Sequence, residues 1–264
     1  MKWIIFLFSL PNIVWAFQSS LSATYSDAES SVAIVNAASF KYYSKDIVYG
    51  GAPYGELAFL TSASSIELFH GAVEYNTGNS SLLSFDGSYT GVSARLYQGN
   101  IYFGVTSSTL EVDSQTLFDL DSRLIDFAVG FRMKDTNMIY GLYSMQSIDN
   151  YASSTELIES GFAVKSVLTD NVIYFQSTKI TEDQNADVDI MVLQLQKYLD
   201  NNFYIALIYE DRDSKSLNDQ REERGLSIGG AVNKSNAFSL SYSEVKNAFN
   251  GKANDIHFTM SFGF

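Results

Sequence analysis

The last ten residues of the chain alternate strictly between apolar and polar side chains. Ile256, Phe258, Met260, Phe262 and Phe264 are apolar, and the residues between them are Ser, Thr, His and Gly, preceded by Asp255. Successive side chains of a β-strand point to opposite faces of the sheet, so this pattern predicts a strand with one apolar and one polar face. The apolar face must meet either hydrocarbon or a protein core.

The same alternation recurs along the chain and predicts fourteen strands. In one of them Phe127 and Val129 alternate with Asp126 and Ala128. The predicted strands cover about residues 17–26, 31–43, 64–76, 81–96, 101–106, 122–133, 137–146, 155–168, 171–180, 187–198, 202–211, 224–233, 236–245 and 255–264. After residue 16 the chain has no run of about 18 apolar residues, which excludes a helical membrane protein but leaves a soluble all-β protein open.

The links between the predicted strands favour a membrane barrel over a soluble sandwich. From the fourth strand onward they alternate between short and long, with long links expected at about 107–121, 147–154, 212–223 and 246–254. Transmembrane barrels have short periplasmic turns, longer outer loops and an even strand number, whereas Greek-key crossovers give no such alternation. We therefore predict an all-β, antiparallel transmembrane β-barrel of about 14 strands, within a range of 12–16, with both termini in the periplasm.

Residues 1–16 have the layout of a secretory signal peptide. Lys2 precedes an apolar stretch that is shorter than the roughly 20 residues a spanning helix needs, and Val14-Trp15-Ala16 is typical of a cleavage site. We expect cleavage after Ala16, which leaves residues 17–264 as a single outer-membrane barrel domain. A retained helical anchor is the alternative.

Composition narrows the function classes further. The chain has no cysteine, which argues against a disulfide scaffold in an exported protein. Its formal net charge of −13 argues against nucleic acid as a partner. Acidic loops and an acidic lumen could both produce this charge.

One region shows a family resemblance. The run Pro53-Tyr-Gly-Glu-Leu-Ala-Phe-Leu-Thr-Ser-Ala-Ser-Ser-Ile66 resembles an early segment of the putative general bacterial porins of gammaproteobacteria, and Leu21-Ser-Ala-Thr-Tyr25 resembles their first strand. The terminal Phe264 resembles the assembly signal of outer-membrane barrels. The resemblance implies a barrel and a porin, without a substrate. Ser62 stands where that family has a basic residue, so no charged role is carried over to it.

Residues 44–63 form a long link where the predicted topology calls for a short periplasmic turn. A periplasmic helix, a plug and an extra pair of short strands all fit this stretch.

The side chains opposite the apolar faces are the expected pore lining. These candidates are Asp86, Asp126, Arg132, Glu159, Lys165 and His257. Rings of charge set ion selectivity in pores, and because acids outnumber bases in this set we expect a weak cation preference. The alternative for each residue is that it pairs across the barrel wall and affects conductance little. Tyrosines at strand ends, among them Tyr42, Tyr43, Tyr97, Tyr140 and Tyr143, are expected to form interfacial girdles.

Catalytic and metal-binding signals are weak. Only His70 and His257 could serve a histidine-dependent hydrolase, and Asp255 and Ser261 on the same strand lie too far from His257 for direct triad hydrogen bonds. Between Asp211 and Glu222 a calcium-loop pattern fails, because Lys215 occupies a ligand position and Ser216 replaces the turn glycine. We predict no enzyme activity, no catalytic residue, no cofactor and no metal site.

The sequence therefore predicts a porin for passive diffusion of small hydrophilic solutes or ions across the Gram-negative outer membrane. The alternative is a structural or surface-interaction barrel whose lumen is closed and which acts through its outer loops. The expected partners are outer-membrane lipid and lipopolysaccharide, the barrel-assembly machinery and the permeating solutes or ions, with no nucleic acid.

Overall fold

The computed structural model shows a closed antiparallel β-barrel of fourteen strands, which confirms the predicted fold class. Each strand pairs with the next along the chain, and β1 pairs with β14 to close the barrel. The structure describes residues 16–28, 33–48, 57–76, 84–113, 120–134, 136–150, 154–182, 187–199, 203–214, 220–231, 236–247 and 251–263. The strands are β1 (Ala16–Ala28), β2 (Ala33–Val48), β3 (Ser65–Asn76), β4 (Ser84–Gln98), β5 (Ile101–Asp113), β6 (Leu120–Lys134), β7 (Asn137–Asn150), β8 (Ser154–Leu168), β9 (Asn171–Glu182), β10 (Asp187–Tyr198), β11 (Phe203–Ser214), β12 (Gln220–Ala231), β13 (Asn236–Asn247) and β14 (Gly251–Gly263).

An apolar belt surrounds the outside of the barrel. On β6 the belt consists of Ile125, Phe127, Val129, Phe131 and Met133, all exposed on the outer face. At roughly 3.3 Å per residue and a tilt of about 40°, these positions cover roughly 20 Å along the membrane normal, close to the apolar height of transmembrane barrels. Exposed apolar side chains recur at every second position of the neighbouring strands, so the belt is continuous.

The two ends of the barrel differ in their links. We call the end that holds the start of β1 and the end of β14 the terminal end, and the opposite one the loop end. Five of the six strand connections at the terminal end are short, two to four residues by the strand bounds, as between Gln98 and Ile101. The exception is the stretch between Val48 and Ser65.

The predicted long links at the loop end are shorter than expected. Strands β5 and β6 extend to Asp113 and from Leu120, and β13 and β14 extend to Asn247 and from Gly251, so that the links span three to seven residues. The alternation fades in these extensions because both faces are polar there, yet the backbone ladder continues, as in the pairing of Lys246 with Lys252. The predicted long loops were therefore wrong in length, and the strands project beyond the apolar belt.

Part of the long stretch after β2 enters the barrel at the terminal end. Its helix, α1 (Leu57–Leu60), is one turn long and closes with the Ala63 amide donating to the Ala58 carbonyl at 3.0 Å. Ser62 follows with φ of 51°, the left-handed region that non-glycine residues rarely adopt. We call residues 57–64 the plug. No helix among the described residues is long and apolar enough to cross a membrane.

Two sequence predictions fall outside the described residues. Residues 1–15 of the predicted signal peptide are not described, while Ala16 begins β1, and Phe264 of the predicted assembly signal follows the last described residue.

Candidate functional site: the lumen and its plug

Polar side chains line the inner face of the wall beside the closing seam. Ser22 on β1 hydrogen-bonds to Ser261 on β14 at 2.9 Å, and Thr24 bonds to Thr259 at 3.1 Å. The outer face of the same strands carries Leu21 and Tyr25. The seam is thus polar inside and apolar outside, as a water-filled barrel in a bilayer requires.

An apolar cluster lies in the lumen at the terminal end. Phe59 of the plug is only 7% exposed and lies in a cluster with wall residues. The other buried members are Tyr102, Met138, Val167, Val172 and Tyr198. Burial of an aromatic ring against such a wall is favourable by about 1.5–3 kcal/mol, so the cluster stabilises the plug inside the barrel.

Arg132 holds the plug from the wall. Its side chain is 4% exposed, and its guanidinium donates one hydrogen bond to the Leu60 carbonyl at 3.0 Å and another to the Ser62 hydroxyl. The guanidinium carbon also lies 5.0 Å from the centre of the Phe59 ring, within cation–π range. Arg132 therefore contacts both Ser62, whose backbone is left-handed, and Phe59, the buried aromatic residue of the plug.

Further contacts attach the plug to other strands. The Lys165 ammonium on β8 lies 5.1 Å from the centre of the Phe59 ring. The Ser64 carbonyl accepts from the Ser44 amide at 2.8 Å, and the Ser64 hydroxyl accepts from the Tyr97 amide at 2.9 Å. The plug is therefore bonded to β2, β4 and β6 and packed against β8.

Two cavities flank the plug, each about 270–280 Å³, and both are bordered by Lys41, Tyr43 and Ala58. The first faces the seam and is lined mainly by hydroxyl and aromatic side chains, including Ser22, Thr259 and Tyr204. The second lies against β2–β5, β7 and β8, and its polar lining consists mostly of cations and tyrosines. We call these the seam cavity and the tyrosine cavity.

Paired charges line the lumen at the loop end. On β11 Arg212 contacts Glu210 at 2.6 Å, and on β12 Arg221 contacts Glu223 at 3.2 Å. Glu210 and Glu223 are directly opposite each other across the two strands, as are Arg212 and Arg221. In the stretch between Asp211 and Glu222, which was compared with a calcium loop, residues 211–214 and 220–222 are strand, and Arg212 and Arg221 pair with acids.

The structure places five of the six pore-lining candidates on the inner face. Asp126, Arg132, Glu159, Lys165 and His257 alternate with the exposed apolar residues of their strands and so face the lumen. Arg132 is not open to the lumen, because it is buried behind the plug.

Asp86 lies on the outer face. It shares its parity on β4 with the exposed residues Val92 and Leu96, and it is directly opposite Glu74 on β3 and Asp113 on β5. The sequence analysis took the face that carries aromatic residues as the outer face. In β4 this assumption fails, because Tyr89 faces inward and packs against Phe69 at 6.1 Å between ring centres.

The tyrosines of the terminal end are functional candidates that sequence reasoning placed differently. Tyr43, Tyr97 and Tyr140 line the tyrosine cavity, whereas Tyr42 and Tyr143 are exposed on the outer face. The alternation of side chains along each strand could have predicted this inward position. Tyr97 follows Leu96 and Tyr140 follows Ile139, and both Leu96 and Ile139 face outward.

The lumenal histidine, His257, has hydroxyl-bearing neighbours on both adjoining strands. His257 faces inward, directly opposite Ser26 on β1 and Ser241 on β13, and no triad geometry is formed with Asp255 and Ser261 on its own strand, which lie two and four residues away. Within the described part of the chain no three His, Asp or Glu side chains come together as a metal site.

The barrel is similar to solved outer-membrane proteins. Omp33 of Acinetobacter baumannii superposes with a TM-score of 0.60 at 12% identity, over 95% of this chain and 99% of its own. The KdgM porin gives 0.52 at 6% identity, over 93% and 99%. CdiB from Acinetobacter baumannii gives 0.54 at 8% identity, over 94% of this chain and 60% of its own. No family model and no curated sequence matches the chain. The comparisons show an outer-membrane porin-like fold.

Proposed function

We propose that this protein is a porin: a passive channel for small hydrophilic solutes or ions in the Gram-negative outer membrane. The observation that carries the proposal is the pairing of a continuous apolar belt outside with a polar wall inside, as at the seam between β1 and β14. Such a wall makes a water-filled path favourable once the barrel lies in a bilayer. In this proposal the terminal end faces the periplasm.

The plug is the constriction of the proposed channel. It occupies the lumen at the terminal end, so solutes must pass through the space represented by the seam cavity and the tyrosine cavity. A barrel of fourteen strands lies between small filled barrels and wide porins, so a plug of this size strongly reduces its open section.

The lumen gives no support to a cation preference. Leaving aside Lys45 at the irregular end of β2, cations and carboxylates occur in equal numbers among inward strand residues with described side chains. The cations are Lys41, Arg95, Arg132, Lys165, Arg212 and Arg221, and the carboxylates are Glu67, Asp126, Glu159, Glu210, Glu223 and Asp255. The weak cation preference therefore stays a sequence-based prediction, which a reversal potential tests.

The proposed partners follow from the surfaces. The apolar belt suits outer-membrane lipid, and the polar strand extensions beyond it suit the lipopolysaccharide headgroup region. The barrel-assembly machinery is a proposed partner through the terminal Phe264.

Single-channel recording tests the proposal. The mature chain, refolded and inserted in a planar bilayer, is expected to give stable conductance steps under a salt gradient. The Arg132→Met variant removes the two hydrogen bonds to the plug while keeping an unbranched side chain in its place, so we expect larger or noisier steps from it. Arg212→Met, which changes a lumenal cation at the loop end, is the matched control and should leave the noise unchanged.

The alternative function is a closed structural or surface-interaction barrel. The apolar cluster around Phe59 favours it, because a tightly packed plug can seal the terminal end. Absence of steps from protein whose heat-dependent gel mobility shows a folded barrel would reject the channel. Recovery of steps in Arg132→Met alone would identify a barrel that the plug closes.

A further inference from the structure

The tyrosine cavity has an unusual charge composition for its position. Its charged lining residues are Lys41, Arg95 and Lys165, and no described carboxylate lines it. The chain as a whole carries a formal net charge of −13, whereas the charged side chains that line this cavity are all cations. Its remaining polar lining is mostly tyrosine.

Arg95 is the cation best placed to meet a ligand. Lys41 forms an ion pair with Glu67 at 2.6 Å, and the Lys165 ammonium lies over the Phe59 ring. Arg95 projects from β4 into the lumen with an exposed side chain, and it lies close enough to Tyr43, Tyr102 and Tyr140 to interact electrostatically with their hydroxyl groups. Among the described residues no carboxylate forms an ion pair with Arg95. Guanidinium groups bind carboxylates through two parallel hydrogen bonds, so a carboxylate is the ligand group that suits this position.

The tyrosines add a second recognition element. Tyr97 and Tyr102 have ring centres 5.1 Å apart, and Tyr102 and Tyr140 have ring centres 5.9 Å apart, so the three rings form a continuous row. Their hydroxyl groups can both donate and accept hydrogen bonds, and the same rings present flat apolar faces. A solute that carries several hydroxyl groups beside its carboxylate would use both properties.

The seam cavity provides an internal comparison. It has a similar volume and shares Lys41, Tyr43 and Ala58, but its other lining residues are uncharged, such as Ser20, Ser239 and Ser261. The difference in charge is therefore confined to one side of the plug.

We infer that the tyrosine cavity is a binding site for small hydroxylated carboxylates, with Arg95 as the carboxylate partner and Tyr97, Tyr102 and Tyr140 as the hydroxyl and ring contacts. As a site on the permeation path this inference deepens the proposed channel function and rests on it. Binding itself requires only the cavity.

Gluconate is a suitable probe, and sorbitol is its uncharged counterpart of similar size. In a planar bilayer with potassium chloride, gluconate should reduce the single-channel current with a saturable concentration dependence, and sorbitol should reduce it only through viscosity. Arg95→Gln should raise the half-blocking concentration of gluconate about tenfold, as expected for the loss of one charge-assisted contact worth roughly 1.5 kcal/mol. Arg212→Gln, a lumenal cation at the loop end, should leave that concentration unchanged.

Calorimetry on the detergent-refolded full chain separates the two proposals. Gluconate binding that is lost in Arg95→Gln supports the site even if no current is seen, and the channel proposal alone then fails. Equal block by sorbitol, unchanged block in Arg95→Gln, or equal weakening in Arg212→Gln would overturn the site while leaving a conducting channel intact.

Discussion

The terminal end and the loop end of this barrel are stabilised by different interactions. At the terminal end an aromatic cluster around Phe59 packs in the lumen, and Arg132 is buried against the plug. At the loop end the inner face carries the ion pairs of β11 and β12, and the outer face carries acids directly opposite one another, such as Glu111 and Asp121. One end therefore depends on burial and the other on partly screened charge.

This difference separates the parts of the protein that respond to packing from those that respond to salt. Buried contacts are little affected by ionic strength, whereas exposed charges interact only within about 8–10 Å at physiological salt. Changes at the terminal end should alter pore size and local stability, and changes at the loop end should give small, salt-dependent effects.

Removal of the plug should have the largest effect. A variant in which residues 49–63, which include all of the plug except Ser64, are replaced by a short glycine-serine link should conduct several-fold more current than the parent, because the constriction is gone. Single-channel conductance checks this, with heat-dependent gel mobility as the control for folding. An unchanged conductance would place the constriction elsewhere.

Phe59→Ala should come next. Loss of a buried phenylalanine typically costs about 3–5 kcal/mol, and here the cost falls on the plug rather than on the strand ladder. Hydrogen exchange should therefore accelerate at the Ala63 amide, which bonds to the Ala58 carbonyl, while loop-end strand amides stay protected. Phe162→Ala removes an exposed ring from the outer belt and should leave the Ala63 amide protected.

Lys41→Gln should have an intermediate effect. Its ammonium contacts Glu67 at 2.6 Å, with both side chains about one-fifth exposed. Loss of a hydrogen bond between charged groups should lower the free energy of unfolding by about 1.5–3 kcal/mol, measured by urea unfolding in lipid vesicles. Lys252→Gln is the matched control: it breaks a more exposed pair with Glu244 at 3.1 Å and should cost only about 0.2–1 kcal/mol. Equal costs would contradict the contrast between the two ends.

The smallest effect should be a stabilisation at the loop end. Asp121 is directly opposite Glu111 on β5 and Asp149 on β7, and Arg123 lies two residues away on the same face. Because like charges directly opposite each other destabilise a sheet, Asp121→Asn should raise the free energy of unfolding by about 0.2–1 kcal/mol at low salt. The gain should vanish in about 1 M salt, and a gain that persists would rule out charge repulsion as its cause.

Strand number and the inner position of most candidates could be predicted from the sequence because alternation is a local property. Asp126 lies on the inner face between Ile125 and Phe127, and Glu159 lies on the inner face next to Ile158, all three of them apolar residues exposed on the outer face. At Asp86 this reasoning failed. Beyond the belt the outer face is polar, as at His70 and Thr90, which hydrogen-bond to each other at 2.8 Å, so hydrophobicity no longer marks the outside.

The plug and its cavities could not be predicted because they depend on contacts between distant parts of the chain. No sequence pattern near Leu60 predicts that its carbonyl accepts a hydrogen bond from Arg132, which is 72 positions later in the chain. The tyrosines could be identified in the sequence, but their common cavity forms only when β2, β4, β5 and β7 curve around α1.

The position of the plug in the chain also bears on how the barrel is assembled. Residues 57–64 lie between β2 and β3 in the chain, yet their partners Arg132 and Lys165 belong to β6 and β8. If the strands are added in order, Phe59 of α1 stays incompletely buried until the eighth strand is in place. Because β1 and β14 close the wall last in such a sequence, the plug is already bound to the curved but still open sheet when the seam forms.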